Sequence, residues 1–225
     1  MRRVYVVVEG QTEESFVGNV LAPTLWPHQI SLTPILLGVP GHKGGRTNYP
    51  RVRRDVLTML KQDAGSYCTT MLDLYGLGDG FPGMPAPQKF CTQDKIRHIE
   101  SAFRQDICNR IPNVRPDVRF IPYLQLHEYE ALLFSDPPAF ARGINQAHLE
   151  KKLQQVRDEF DSPEDINDSP STAPSKRVFA IYPQYRKVIE GTQAAKSIGI
   201  ATILEQCRHF REWVEALQSL GDIEA

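Results

Sequence analysis

Three strand-like apolar runs in this chain each lead into a carboxylate, and that spacing is where chemistry is possible. Val4-Tyr5-Val6-Val7-Val8 runs into Glu9-Gly10-Gln11-Thr12-Glu13, and Tyr67-Cys68-Thr69-Thr70-Met71-Leu72 ends in Asp73. The run from Val118 to Leu126 is followed by His127-Glu128-Tyr129-Glu130. In a parallel sheet the carboxyl ends of the strands share one edge, where open α/β folds place their sites. Acidic side chains crowded there repel unless a cation neutralises them, and hard oxygen ligands suit Mg²⁺ or Mn²⁺. An ion held by few carboxylates polarises a phosphoryl oxygen and generates hydroxide. Glu9, Glu13, Asp73, Glu128 and Glu130 are therefore the candidate ligands. The simpler alternative is three unrelated surface acids, with Glu13 and Glu14 merely opening a helix where its dipole favours them.

A phosphodiester substrate also needs cations. The loop Gly41-His42-Lys43-Gly44-Gly45-Arg46 sets Lys43 and Arg46 beside glycine amides, a pattern suited to phosphate. Lys176, Arg177, Arg186 and Lys187 form a second cluster. A solvated basic face explains either group nearly as well. His127 is a candidate ligand or proton shuttle, although a lone histidine at such a junction is more often a structural donor. His28, His98, His148 and His209 carry no pattern and read as structural.

These residues must be positioned by alternating elements. Helices are expected at residues 13–21 (ending before Pro23), 52–62 and 92–108, and strands at 31–37, 67–72 and 118–126. Pro34 marks 31–37 as an edge strand, and Gly10 supplies a sharp turn after the first strand. Residues 76–91 read as a long Gly/Pro loop. Alternation with connections of this length implies a mostly parallel central sheet flanked by helices. Beyond residue 136 helical patterns dominate (145–160, 174–190, 200–220), so residues 1–136 read as an α/β core and 137–225 as a helical extension packed on it. The tract Asp161–Pro170 is too polar to bury much.

Composition narrows the class. The chain has 225 residues with 26 Lys+Arg against 27 Asp+Glu, a formal net charge of −1. There is no global basic field, so contact with a polyanion must come from local clusters. No apolar run approaches the ~20 residues of a membrane span. With no cleavable signal pattern at the start and four widely spaced cysteines lacking a C-x-x-C pair, the expected location is cytoplasmic.

Four segments together carry a resemblance that each alone would not. They are Val8-Glu9-Gly10-Gln11-Thr12-Glu13; Met71-Leu72-Asp73-Leu74-Tyr75-Gly76-Leu77 with Phe81-Pro82-Gly83; His127 to Asp136; and Ile166 to Pro170 with Ala173-Pro174-Ser175-Lys176-Arg177. They resemble the signature segments of the bacterial DUF4276 family, which is TOPRIM-like and akin to the nuclease domain of OLD-type proteins. The resemblance implies a TOPRIM-like α/β fold with a C-terminal helical extension. It implies a Mg²⁺- or Mn²⁺-dependent nuclease in which Glu9 is the general base, Glu13 the second acid and Asp73 the first aspartate of the Asp-x-Asp motif. Tyr75 stands at the second aspartate, which puts two-metal catalysis in doubt. Lys176, within a matched segment, is the cation expected to neutralise transition-state charge, and Tyr75, His127, Arg177, Lys187, Lys43 and Arg46 are expected to contact substrate. DNA is the expected partner ahead of RNA. The resemblance alone implies a second partner, an ATPase subunit in a phage-defence system; this chain has no G-x-x-x-x-G-K-[ST] loop, so any ATP-driven step would need another protein. Two other functions are weighed: a non-catalytic module that binds nucleic acid or a partner, and a phosphatase or nucleotidyl hydrolase.

Overall fold

The computed structural model describes residues 1–38, 48–166 and 172–222. β1 (Arg2–Val8), β2 (Ile30–Leu36), β3 (Tyr67–Asp73), β4 (Phe120–Ile121) and β5 (Leu124–Gln125) form one parallel sheet in the order β2-β1-β3-β4, with β5 also pairing with β3. The helices are α1 (Gln11–Phe16), α2 (Ala22–Leu25), α3 (Tyr49–Gln62), α4 (Thr92–Arg110), α5 (Pro116–Arg119), α6 (Pro137–Gly143), α7 (Glu150–Asp158), α8 (Pro174–Ile181), α9 (Lys187–Ile198), α10 (Ile200–Gln206) and α11 (Arg208–Asp222). The expected mostly parallel sheet flanked by helices is thus present.

β1 lies at the centre because both its faces are apolar. Val4, Val6 and Val8 enter one core with Phe16, Phe140, Ala194 and Phe210, while Val7 enters the other with Val56, Leu72 and Phe103. The C-terminal helices thus share a core with the first strand. β2, which contains Pro34, is an edge strand as anticipated.

Several elements depart from the sequence reading. The first helix does not stop before Pro23: a π turn (Val17–Leu21) follows α1, and the Ala22 amide reaches back to the Val17 carbonyl. The proline then sits in the first turn of α2, where an amide is dispensable. Gly10 is extended (φ −142°, ψ 179°), a conformation open to any residue; its lack of a side chain instead leaves room for the Glu13 carboxylate.

The strand expected at 118–126 is reduced to two fragments, preceded by the turn α5. Pro122 has no amide for the ladder, and Thr70 fills the gap: its hydroxyl donates to the Tyr123 carbonyl at 2.8 Å and accepts from the Tyr123 amide at 3.0 Å. The helix expected at 174–190 is likewise split at Tyr182–Arg186 around Pro183. Part of the polar tract is buried after all. Ile166 enters the core, and Glu164 accepts from the amides of His209 and Phe210 at 2.9 Å each, capping α11 from outside that helix. Among the described residues, no helix is long and apolar enough to cross a membrane.

Candidate functional site

Parallel pairing of β1 with β3 aligns Val8 with Met71, so Glu9 and Asp73 emerge at the same sheet edge. Glu9 Oε2 accepts from the Asp73 amide at 3.3 Å. The close approach depends on Gly76 in the turn after β3, where a Cβ would lie 2.8 Å from Glu9 Oε2. Gly76 lies in a matched segment, but its contact with Glu9 has no signal in the sequence. Asp73 Oδ1 is closed off from solvent and has no hydrogen-bond partner among the described residues. Burial drives the Asp73 carboxyl well above the ordinary range, and the charges of Glu13, Glu9, Glu130 and Glu128 add to the shift.

Glu13 is brought in by the first turn of α1, where its Oε2 accepts from the Gly10 amide at 2.9 Å. It is only 7% exposed. Burial pushes its pKa up to about 7, with Glu130 and Glu9 adding to the shift. Glu130, 2% exposed, sits in the 3₁₀ segment Tyr129–Ser135 and is raised by burial against the pull of Lys187, whose Nζ lies 3.2 Å from its Oε1. Lys187 opens α9; burial opposes its charge, but Glu130, Glu128 and Asp73 more than offset this and raise its pKa. Glu128 Oε2 accepts from the Ser175 amide at the start of α8, 2.9 Å away.

The site thus brings together Glu9, Glu13, Asp73, Glu128, Glu130 and Lys187. Other expected residues lie at its margin or elsewhere. Tyr75 is 46% exposed and stacks on His127, with ring centroids 5.5 Å apart. His127 is buried with φ +66°, and burial lowers its pKa to about 4, so at neutral pH it is no cation for phosphate. Lys176 is exposed in the first turn of α8, next to the Ser175 that holds Glu128. Arg177 pairs with Glu159 at 2.9 Å and lies over the Phe160 ring. Lys43 and Arg46 lie outside the described residues.

Among the described residues, no three Asp, Glu, His or Cys side chains are grouped closely enough to hold an ion by themselves. This does not exclude Mg²⁺ on chemical grounds, since that ion keeps several waters and takes one or two carboxylates. The donor set is all oxygen, and the orphaned, buried Asp73 Oδ1 beside Glu9 is the atom such an ion would satisfy. Beside Glu9, a cavity of about 320 Å³ opens against Thr12, Leu36, Leu37, Lys187 and Val188.

The model of one protein family, a domain of unknown function (DUF4276), matches residues 8–218. Two solved structures of the C-terminal region of the Xanthomonas campestris pv. campestris OLD protein, phased with mercury and with iodine, are similar to this chain. They share 13% and 14% identity with it, the alignments cover 99% of this chain and 97% of theirs, and the TM-scores are 0.48 and 0.45. No curated protein matches the sequence.

Proposed function

This chain belongs to the DUF4276 family, and from that premise we propose that it is a Mg²⁺-dependent phosphodiesterase of TOPRIM type acting on nucleic acid, DNA ahead of RNA. The observation that carries the reading is the buried carboxylate group at the sheet edge, above all Asp73 with its unpartnered Oδ1 next to Glu9. A largely buried cluster of five carboxyl groups with a lysine, Lys187, beside it is destabilising and is sustained where a cation or a reaction uses it. Asp73 and Glu9 are the residues that would hold Mg²⁺ (or Mn²⁺), with Glu13, Glu128 and Glu130 supplying the surrounding negative field. When bound, the ion supplies Lewis-acid polarisation of the phosphoryl group and lowers the pKa of water.

The protein's own residues supply the rest. Glu9, partly exposed and lining the cavity, takes the proton as water attacks phosphorus; the P–O ester bond breaks with its electron pair on the leaving oxygen, which is protonated from solvent. Lys187 holds Glu130 in place and limits repulsion at the metal side. Lys176, exposed in the first turn of α8, is the cation assigned to the developing phosphate charge. Tyr75 offers a phenol face and hydroxyl to the nucleotide. An ATPase subunit in a phage-defence assembly fits a chain without a phosphate-binding loop of its own.

A second reading is a non-catalytic module that binds nucleic acid or a partner. Tyr75 at the second aspartate position and the lack of a three-ligand group among the described residues favour it. Cleavage of plasmid and single strands in Mg²⁺ and Mn²⁺ separates the two. Metal-dependent cleavage that Glu9→Ala abolishes is expected. Cleavage surviving in Glu9→Ala, or none under any metal, would remove Glu9 and the phosphodiesterase assignment respectively.

A further inference from the structure

Glu9 lies between two unlike surfaces. On one side is the turn after β3, where Gly76 packs against its carboxylate and Tyr75 presents a half-exposed ring stacked on His127. On the other is the 320 Å³ cavity, with Glu9 and Lys187 at its rim and Leu36, Leu37 and Val188 as its apolar wall. That wall is built on the sheet: Leu36 ends β2, and the Leu37 amide donates to the Val8 carbonyl at 2.9 Å. A pocket of this size lies at the lower end of the range that takes small ligands. Its lining suits one largely apolar group with a polar edge, since Thr12 and Glu9 line it beside the apolar residues.

We infer that the cavity is a subsite for the base of a nucleotide flanking the scissile phosphate, and that the substrate is therefore an unpaired strand. The inference rests on the phosphodiesterase reading. A strand passing Glu9 sets one base against Tyr75 and the next against Leu36, Leu37 and Val188. Neither contact is open to a base held inside a duplex, because its faces are covered by stacked neighbours. Apolar and stacking contacts tolerate any base, so selectivity falls on strandedness, not sequence.

The test uses the full chain in Mg²⁺ and fluorescence anisotropy of three labelled probes with phosphorothioate backbones: an oligothymidine, its abasic counterpart, and a closed-end hairpin duplex. The oligothymidine is expected to bind about tenfold more tightly than the hairpin, a difference of ~1.4 kcal/mol. The abasic strand should lose that advantage. Val188→Trp, which fills the cavity, and Tyr75→Ala, an exposed position, should each weaken oligothymidine binding by about the same factor. Equal affinity for strand and hairpin, or indifference to both substitutions while ordinary oligonucleotides are still cut, would overturn the subsite alone. Failure to bind any probe, with plasmid and single strands left intact, would overturn the phosphodiesterase reading beneath it.

Discussion

Asp73 concentrates the electrostatic strain of the site in one side chain. Its Oδ1 is sealed off without a partner among the described residues, and four glutamates act on the same carboxyl. Asparagine keeps the shape and removes the charge. Asp73→Asn is therefore expected to raise the melting temperature in EDTA by about 2–4 °C, the shift of roughly 1 kcal/mol in a chain of this length. It should also abolish the stabilisation that Mg²⁺ or Mn²⁺ confers on the unaltered protein. Thermal unfolding with and without the ions checks both; an unchanged response to metal would show that Asp73 is no ligand. Tyr75 gives a second residue-scale expectation. A phenol with a pKa near 10 is neutral at pH 7 and does not replace a carboxylate, so a Mn²⁺ titration without substrate should count one tight site per chain. Tyr75→Asp should add a second, weaker one. Two tight sites in the unaltered protein would point to Glu128 and Glu130 as full substitutes for the missing aspartate.

At the scale of elements, β1 and β3 were legible because their apolar runs are long and their carboxylates close them. Their direct pairing, with β2 on the far side of β1, sets both carboxylates at one edge. What the sequence concealed were tertiary substitutions for local rules. Thr70 replaces a ladder partner opposite Pro122, the π turn admits Pro23, and Glu164 caps a helix 45 residues away. None of these has a short-range signature, since each donor and acceptor is brought together only by the folded chain. Arg177, a basic residue in a matched segment, likewise pairs with Glu159 and lies over Phe160, contacts that only the folded chain brings together. The Glu164 cap is measurable. Removing its carboxylate leaves the buried amides of His209 and Phe210 without their acceptor, so Glu164→Ala should cost ~1–2 kcal/mol. Urea unfolding should register this as a lower midpoint at constant slope, whereas an unaltered midpoint would mean that water serves the helix end as well.

The whole molecule joins the sheet edge and the helical layer into one pH response. Glu13 has its pKa raised from 4.5 to about 7, so the folded chain binds more protons than the unfolded one across that interval. Its contribution to stability is thus complete below about pH 4.5 and is lost as pH rises through about 7, a change on the order of 3 kcal/mol. His209 acts with the same sign for a different reason. Burial disfavours its charge, but the hydrogen bond and charge of Glu100, 3.1 Å away between α4 and α11, outweigh this and raise its pKa. That stability is present below the unfolded value near 6.5 and fades once pH passes the higher folded value. In EDTA the melting temperature should therefore fall steadily from pH 5 to pH 8. Metal reverses only the first part: an ion at the sheet edge displaces protons there, so its stabilisation should be larger at pH 8 than at pH 5. Glu13→Gln should flatten the EDTA profile near pH 7, while His209→Gln should flatten it at higher pH and leave the response to metal intact. Scanning fluorimetry of the three proteins over this range, with and without Mg²⁺, reads all of these at once. A Mg²⁺ effect independent of pH would mean that the ion does not bind among the carboxylates at all.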